Sequence, residues 1–365
     1  MKPAPSIIGF TTISGLGYGM LVVLAAGALF GIIPMERWLG VTGLLLALGA
    51  ITTGLLSSTL HLGHPERAWR AITQWRSSWL SREGVLALVT FIPALLFAAG
   101  WILSGSVAGV HGLMAAATAI GAIATVYCTG MIYASLPPIK AWHQPLTAPI
   151  YLAFAFMTGL LAVHFLLILF GAPHFLIGIL TIFATGVAFL LKIFYWRNAA
   201  RARADGPTTA EATGLGTSEL VRMLDPPHTQ TNYLLDEMGF QIGRKHASLL
   251  RGFTLLFGLI LPIVLTIIAL TPDSWATTPL AFLAFASGLI GVLIERWLFF
   301  AEAEHTVMLF YGGRRPEGAS PKRVPAKEIA PSASAMAKRR RATPTRRRPV
   351  IRSGEGEIGD QPSSA

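Results

Sequence analysis

Ionisable and aromatic side chains are concentrated in residues 61–83, which hold two histidines, two carboxylates, four arginines and three tryptophans. The unperturbed pKa of histidine, about 6.5, suits proton exchange near neutral pH, and a carboxylate opposite it could pass a second proton onward. Oxidising a quinol releases two protons with two electrons. The composition of this stretch, with His61, His64 and Glu83 as the proton-handling groups, therefore favours a quinone site.

The same residues also have a purely structural interpretation. Arginines such as Arg67 could hold a loop against lipid phosphates, and tryptophans such as Trp79 could form the ordinary interfacial belt. Glu83 could stabilise the N-terminus of the helix that follows. From residue types alone, both interpretations remain open.

The elements that must position these side chains are membrane-spanning helices. The 365-residue chain is 53% hydrophobic and 13% charged, so it has too little polar surface for a soluble domain. A helix needs about 20 apolar residues to cross the hydrocarbon core. The sequence predicts an all-α bundle of about eight such helices, at Ile7 to Ile33, Trp38 to Leu60, Gly84 to Leu103, Val110 to Leu136, Ala148 to Phe170, Phe175 to Tyr195, Leu249 to Leu270 and Pro279 to Phe300.

Most of the net charge of +11 lies in the C-terminal part of the chain. We expect a transmembrane domain over residues 1–311 and a disordered basic tail over residues 312–365, because the tail lacks apolar periodicity. Such a tail typically contacts anionic lipid head groups. A nucleic-acid partner is not expected.

The loops divide into two groups by charge. Lys and Arg are concentrated in the tail and in the segments after the second, fourth and sixth apolar stretches. The positive-inside rule then predicts that both termini, residues 61–83 and the long loop 197–248 are cytoplasmic. Residues 233–240 of that loop fit either an amphipathic interfacial helix or a contact surface for another subunit.

Two motifs carry a family resemblance. The sequence His61-Leu62-Gly63 after an apolar helix and the stretch from Ser77 to Glu83 resemble the membrane anchor subunit of dimethyl sulfoxide reductase-type complexes. The segments from Pro226 to His246 and from Glu295 to Glu302 are more similar to the branch that accompanies cytoplasmic sulfite-oxidising molybdoenzymes, and His64 and the basic residues from Arg67 to Arg76 depart from the best-known branch.

The resemblance implies a multi-pass protein of a prokaryotic cytoplasmic membrane. It also implies an anchor that exchanges electrons and protons between menaquinone or ubiquinone and an iron-sulfur subunit, which in turn contacts a molybdopterin subunit. The chain itself is expected to hold no haem, metal or iron-sulfur cluster and to have no catalytic activity alone. The implied proton-handling pair is His61 and Glu83. The direction of electron flow and the partner's substrate stay open.

The predicted quinone-binding residues are His61, Glu83, His64, Arg67, Trp79 and Tyr133, with Trp142 and His143 as secondary candidates. Within the helices, Lys192 is expected to reach toward the interface. Glu295 and Arg296 are expected to pair with other helices or with head groups.

Two further observations bear on cofactors. The lone Cys128 excludes an internal four-thiolate cluster, and His164, with no evident partner at its depth, argues against a haem with two axial histidines. A transporter or ion channel remains the alternative function, since an intramembrane ionisable residue such as His164 is also typical of those proteins.

Overall fold

The computed structural model describes residues 2–59, 64–204, 206–215, 238, 245–271 and 276–310. All regular secondary structure in this part of the chain is helical, and eight helical segments are long and apolar enough to cross a membrane. The predicted polytopic bundle is confirmed. In chain order the spans are α1 (Pro5–Leu29), α2 (Arg37–Thr59), α3 (Trp79–Ala99), α4 (Val110–Ala134), α5 (Thr147–Leu169), α6 (Phe175–Ala204), the joined pair α8 (Ala247–Leu255) and α9 (Leu261–Ala269), and α10 (Thr277–Ala301); α7 (Thr209–Ala212) is one short turn outside them.

Helices suit these segments because lipid offers no hydrogen-bond partner, so each backbone group must be satisfied within its own span. Two spans contain a wider π turn, at Gly100–Ser104 after α3 and at Leu256–Ile260 between α8 and α9. A 3₁₀ helix over Pro65–Ile72 precedes α3. It belongs to the polar stretch in which the candidate site residues are concentrated.

The centre of the bundle is formed by α1 and α5. In their most apolar windows, 78% and 72% of the residues are buried, against 28–44% in the other spans. Gly19 of α1 makes this contact possible, since a Cβ there would collide with the backbone carbonyl of Ala155. A Cβ on Gly15, one turn earlier, would meet only Ala155 Cβ, at an ordinary 3.9 Å.

The other spans surround this central pair. Helices α2 and α4 pack on α1, and α3 packs on α4. On the other side, α6 and α10 pack on α5, and α9 fills the space beside α10. Residues from α1, α3, α4, α5, α6 and α10 therefore meet in the bundle interior. They lie toward the side of the bundle that carries residues 64–78 and 135–146.

Several predictions fall outside the described residues. These are the roles of His61 and of the basic tail 312–365, and most of the amphipathic segment 233–240, of which only Met238 is described.

Candidate functional site

Glu83 lies in the first turns of α3, and its position follows from the start of that helix. The side chain of Ser78 caps the helix by accepting a hydrogen bond from the Ser81 backbone N–H, at 3.4 Å, which is the ordinary role of serine at this position. One turn into the helix, the Glu83 side chain is only 4% exposed. The carboxyl group is therefore removed from water.

The carboxylate of Glu83 has a single described hydrogen-bond partner, the hydroxyl of Thr129 on α4, which donates to it. Thr129 also lies 3.1 Å from the carbonyl of Thr125, one turn earlier on its own helix. The hydroxyl groups of Tyr18 and Tyr133 lie within electrostatic range of the carboxylate. A buried carboxyl group with one hydroxyl donor can exchange a proton with whatever reaches its second oxygen.

An apolar cleft of about 330 Å³ lies between α1, α4 and α5. Its mouth faces the surrounding lipid, because Ile123 and Phe156 on its rim are 45% and 39% exposed. Tyr18 is the one lining residue that carries a hydroxyl group, and this hydroxyl is buried, with the Thr125 side chain within hydrogen-bonding range. The other lining residues are Gly19, Val22, Ala122, Val126, Leu152, Ala153 and Ala155.

A second, polar cavity lies behind the wall of this cleft, and Val126 and Ala155 line both spaces. Its volume of about 20 Å³ is enough for one water molecule. The polar side chains around it are Thr11, Thr12, Ser14, Thr129, Tyr151, Thr158 and Arg296. Since Thr129 also binds Glu83, the carboxylate is one hydroxyl group away from this cavity.

Arg296 belongs to a buried charged triad with Glu295 of the same helix and Lys192 of α6. All three side chains are at most 2% exposed. Lys192 Nζ lies 2.5 Å from Glu295 Oε1, and Arg296 Nε donates to the other oxygen. Charges this deep in a bundle persist only when they are paired.

The expectation that Lys192 reaches the interface is therefore wrong. The physical reason is that its ammonium finds Glu295 and the ring of Tyr195, whose centroid lies 4.0 Å away. The predicted pairing of Glu295 with another helix is confirmed. Arg296 instead binds its own neighbour Glu295, against the expectation that it pairs with another helix or with a head group.

Other predicted residues lie away from these spaces. His64 and Arg67 are exposed at the start of the 3₁₀ helix, where His64 Nδ1 is 2.9 Å from Glu66 Oε1 and Arg67 Nε is 3.8 Å from the same oxygen. Trp79 contacts Tyr127 edge to face, with the Arg82 guanidinium 4.3 Å from its ring centroid. None of the three lines the cleft or the cavity.

Tyr133 does lie near the cavity, behind one of its walls. Its ring stacks on Tyr151, with centroids 5.6 Å apart, and meets Trp142 at 5.1 Å. Trp142 is buried and donates from Nε1 to the carbonyl of Phe299 at 2.9 Å. His143 is exposed and bonds the Ala134 carbonyl at 2.7 Å. The secondary candidates thus divide, with Trp142 in the interior and His143 on the surface.

His164 does have a histidine neighbour, which corrects the sequence-based expectation. The ring centroids of His164 and His174 lie 5.7 Å apart, at the junction of α5 and α6. The Nε2 atom of His164 faces Gly178, since a Cβ there would lie 2.9 Å from it. The short connection between the antiparallel helices α5 and α6 brings the two histidines together, although the sequence had suggested that they lie at different depths in the membrane.

Three residues of this site were missed at the level of sequence: Tyr18, Thr129 and Arg296. Tyr18 stands in a glycine-rich segment whose pattern indicates packing, and Thr129 resembles any hydroxyl that bonds its own helix. The available signal was the Glu295-Arg296 pair, because ionisable groups within spans usually face the bundle interior.

Two comparisons with known proteins extend these observations. The model of the family described as DMSO reductase anchor subunit (DmsC) matches residues 1–312, which include every candidate span. The C subunit of sulfite dehydrogenase from Allochromatium vinosum is 31% identical over 328 residues, covering 85% of this chain and 99% of the relative.

The match over the whole bundle favours an anchor role over the transporter alternative. Both comparisons also agree with the resemblance carried by the short motifs around Glu83 and Arg296. We conclude that this multi-pass membrane protein belongs to the family of DMSO reductase anchor subunits.

Proposed function

We propose that this anchor exchanges electrons and protons between the membrane quinone pool and a partner iron-sulfur subunit, which is joined to a molybdopterin subunit. The observation that carries the proposal is the lipid-open apolar cleft, which shares two wall residues with a polar cavity one hydroxyl group from buried Glu83. A quinone has an apolar tail and a polar head, so it matches a cleft of this kind in size and character.

When bound, a quinone accepts or releases two electrons and two protons. The residues of this chain would supply the proton side of that exchange. Tyr18 would offer the head group the one hydroxyl among the residues that line the cleft, and Glu83 would hold or release a proton while Thr129 orients its carboxyl group. His61, which the motif resemblance assigns to the same site, would serve as the second proton carrier.

Electrons would pass between the quinone and the redox centres of the partner subunits. The name of the Allochromatium vinosum relative favours a sulfite-oxidising complex as the partner. Electrons would then run from sulfite toward quinone. A DMSO reductase-like complex would use the same site in the opposite direction.

The proposed setting is the cytoplasmic membrane of a prokaryote, with both termini on the cytoplasmic side. The positive-inside rule supports this orientation, because Lys and Arg are concentrated in segments that the even number of spans puts on one side. The basic residues 312–365 would lie against anionic lipids there.

The test is substitution of Glu83 by Gln in the complex purified from mild detergent. Gln keeps the size of the side chain but carries no exchangeable carboxyl proton. We expect quinone-coupled turnover to fall by about a hundredfold or more, the usual scale for losing a positioned acid or base. Turnover is measured with sulfite and with a sulfoxide as the partner substrate. The substrate that supports turnover then shows the direction of electron flow.

The matched control is Glu211→Gln, an exposed carboxylate in the short helix α7. Both variants should co-purify with the same molybdenum and iron content as the unmodified complex. Full quinone-coupled turnover in an assembled Glu83→Gln complex would remove Glu83 from the site. A tagged chain that purifies without metal-containing partners would overturn the proposal as a whole.

A further inference from the structure

Only part of the hydrogen-bonding capacity of the Arg296 guanidinium is used. Its Nε donates to Glu295, whereas the two Nη groups have only the Tyr151 hydroxyl within hydrogen-bonding range among the described residues and make no well-formed hydrogen bond, although the side chain is only 2% exposed. These groups can only donate. Buried donors of this kind are almost always satisfied, by protein or by ordered water.

The polar cavity lies beside these donors, because Arg296 lines it. The hydroxyl group of Thr12, in the same lining, also lacks a described partner, while that of Tyr151 lies within hydrogen-bonding range of Arg296 and Tyr133. The Tyr151 ring centroid is 4.0 Å from the guanidinium carbon. A volume of about 20 Å³ with several unsatisfied polar groups around it meets the requirements of a buried water, which needs two to four partners.

Thr129 connects this cavity to Glu83. Its hydroxyl donates to the carboxylate, so its oxygen is left to accept a hydrogen bond from the cavity side. The donor and acceptor directions then run one way: from the arginine N–H to a water, from the water to Thr129, and from Thr129 to Glu83. Hydrogen bonds aligned in this manner strengthen one another.

We infer that Arg296 binds an ordered internal water and, through it and Thr129, acts as a positioning residue that favours the ionised form of Glu83. The functional consequence for proton exchange rests on the function proposed above; the hydrogen-bond chain itself does not.

The charges near the chain agree with this inference. Lys192 and Arg296 bring two positive charges against one from Glu295, while Glu302 has its own partner, Arg251, at 2.8 Å. The triad thus presents one excess positive charge to the cavity. The remaining titratable or charged groups facing Glu83 are Tyr18 from α1, Cys128 and Tyr133 from α4, Tyr151 from α5 and the neighbouring Arg82. Arg82 bonds the carbonyls of Trp75 and Arg76 in the preceding loop.

The experiment is an infrared pH titration of the purified complex without substrate. The carboxylic-acid C=O band that disappears in Glu83→Gln reports protonated Glu83 directly. In Arg296→Gln we expect the midpoint of this band to move to higher pH by about one unit, because the hydrogen bonds favouring the carboxylate are lost. The same variant should lose an O–H stretching band that shifts in H₂¹⁸O.

Two variants control for charge and for folding. Lys192→Met also removes one buried positive charge and leaves a neutral Glu295-Arg296 pair, but Lys192 does not line the cavity. In this variant the Glu83 midpoint should therefore move by less than half of the shift expected in Arg296→Gln. Arg296→Lys keeps a cationic donor and should retain both the midpoint and the water band. If Arg296→Gln fails to assemble, the H₂¹⁸O-sensitive band of Thr129→Val carries the test, since a water that donates to Thr129 would lose this partner and its band should shift. An unchanged band in Thr129→Val would overturn the inference.

Equal midpoints in Arg296→Gln and the unmodified complex would overturn the inference, as would equal shifts in Arg296→Gln and Lys192→Met. An unchanged H₂¹⁸O-sensitive band in Arg296→Gln would exclude Arg296 as the ligand of the water. Quinone turnover is measured separately on the same samples. A shifted midpoint in Arg296→Gln, together with full quinone turnover in Glu83→Gln, would support the hydrogen-bond chain and contradict the proposed function.

Discussion

Glu66 and Glu83 come from the same polar stretch of sequence, yet they lie in opposite surroundings. Glu66 is exposed and shares a hydrogen bond with His64 at the surface, where water competes for both groups. Glu83 is 4% exposed and bound by Thr129. Its charge state is therefore coupled to a few specific neighbours, which is the property a proton-exchanging group requires. At the residue scale, burial separates the candidate from its sequence neighbours.

Tyr18 gives the residue-scale prediction. If its hydroxyl binds the head group in the cleft, Tyr18→Phe should raise KM for quinone by about tenfold, the scale of one lost hydrogen bond of about 1.4 kcal/mol. The measurement is the steady-state KM of the purified complex with a soluble quinone analogue. The control is Tyr127→Phe, a 42% exposed tyrosine on α4 outside the cleft. Equal KM values for Tyr18→Phe and the unmodified complex would contradict direct contact.

At the scale of helices, the contact between α1 and α5 supports both spaces of the site. It brings Gly19 against the backbone of Ala155 and Gly159, and Ala155 itself forms part of the wall between cleft and cavity. Small residues at such a crossing allow close backbone approach where lipid gives no hydrophobic drive for association. The width of the cleft therefore depends on this crossing.

Gly19→Val should force α1 and α5 apart. Overpacking of this kind costs about 1–3 kcal/mol, so we expect a lower midpoint of thermal unfolding in detergent. The measurement is unfolding followed by circular dichroism or by static light scattering. Gly15→Ala is the matched control on the same helix, because its new Cβ would meet Ala155 at an ordinary distance. Equal destabilisation by both substitutions would count against the crossing as the sensitive point.

At the scale of the whole molecule, eight spans put the polar stretch 64–78 and the connection 135–146 on one side of the membrane and residues 105–109 on the other. The site lies near the first of these sides. A partner subunit docked there would be close to both Glu83 and the cleft, whereas one on the opposite side would be separated from them by most of the bilayer. Orientation in the cell therefore matters to the proposed electron transfer.

Cysteine labelling tests that orientation. With a membrane-impermeant maleimide, Ala108→Cys should react in intact spheroplasts, and Gln74→Cys should react only after the membrane is opened. Both positions are exposed, and the native Cys128 is 5% exposed, so background labelling should be low. The reverse labelling pattern would invert the proposed topology and with it the cytoplasmic placement of the partners.

The sequence alone determined the fold class, the number of spans and the stretch that contains Glu83. These follow from local rules: a span must be apolar over about 20 residues, must satisfy its own backbone hydrogen bonds and has basic residues on one side. The family resemblance also came from short contiguous motifs, and the comparison over residues 1–312 agrees with it.

Only the tertiary structure decided how the helices are rotated and which residues meet between them. Glu83 and Thr129 are 46 positions apart, Lys192 binds a carboxylate on another span, and the cleft is shared by three helices. Spans that are apolar on every side carry no amphipathic pattern to indicate their inward face. The inward face is set instead by close packing at glycines and by the need to pair each buried charge, and both become visible only when the helices are brought together.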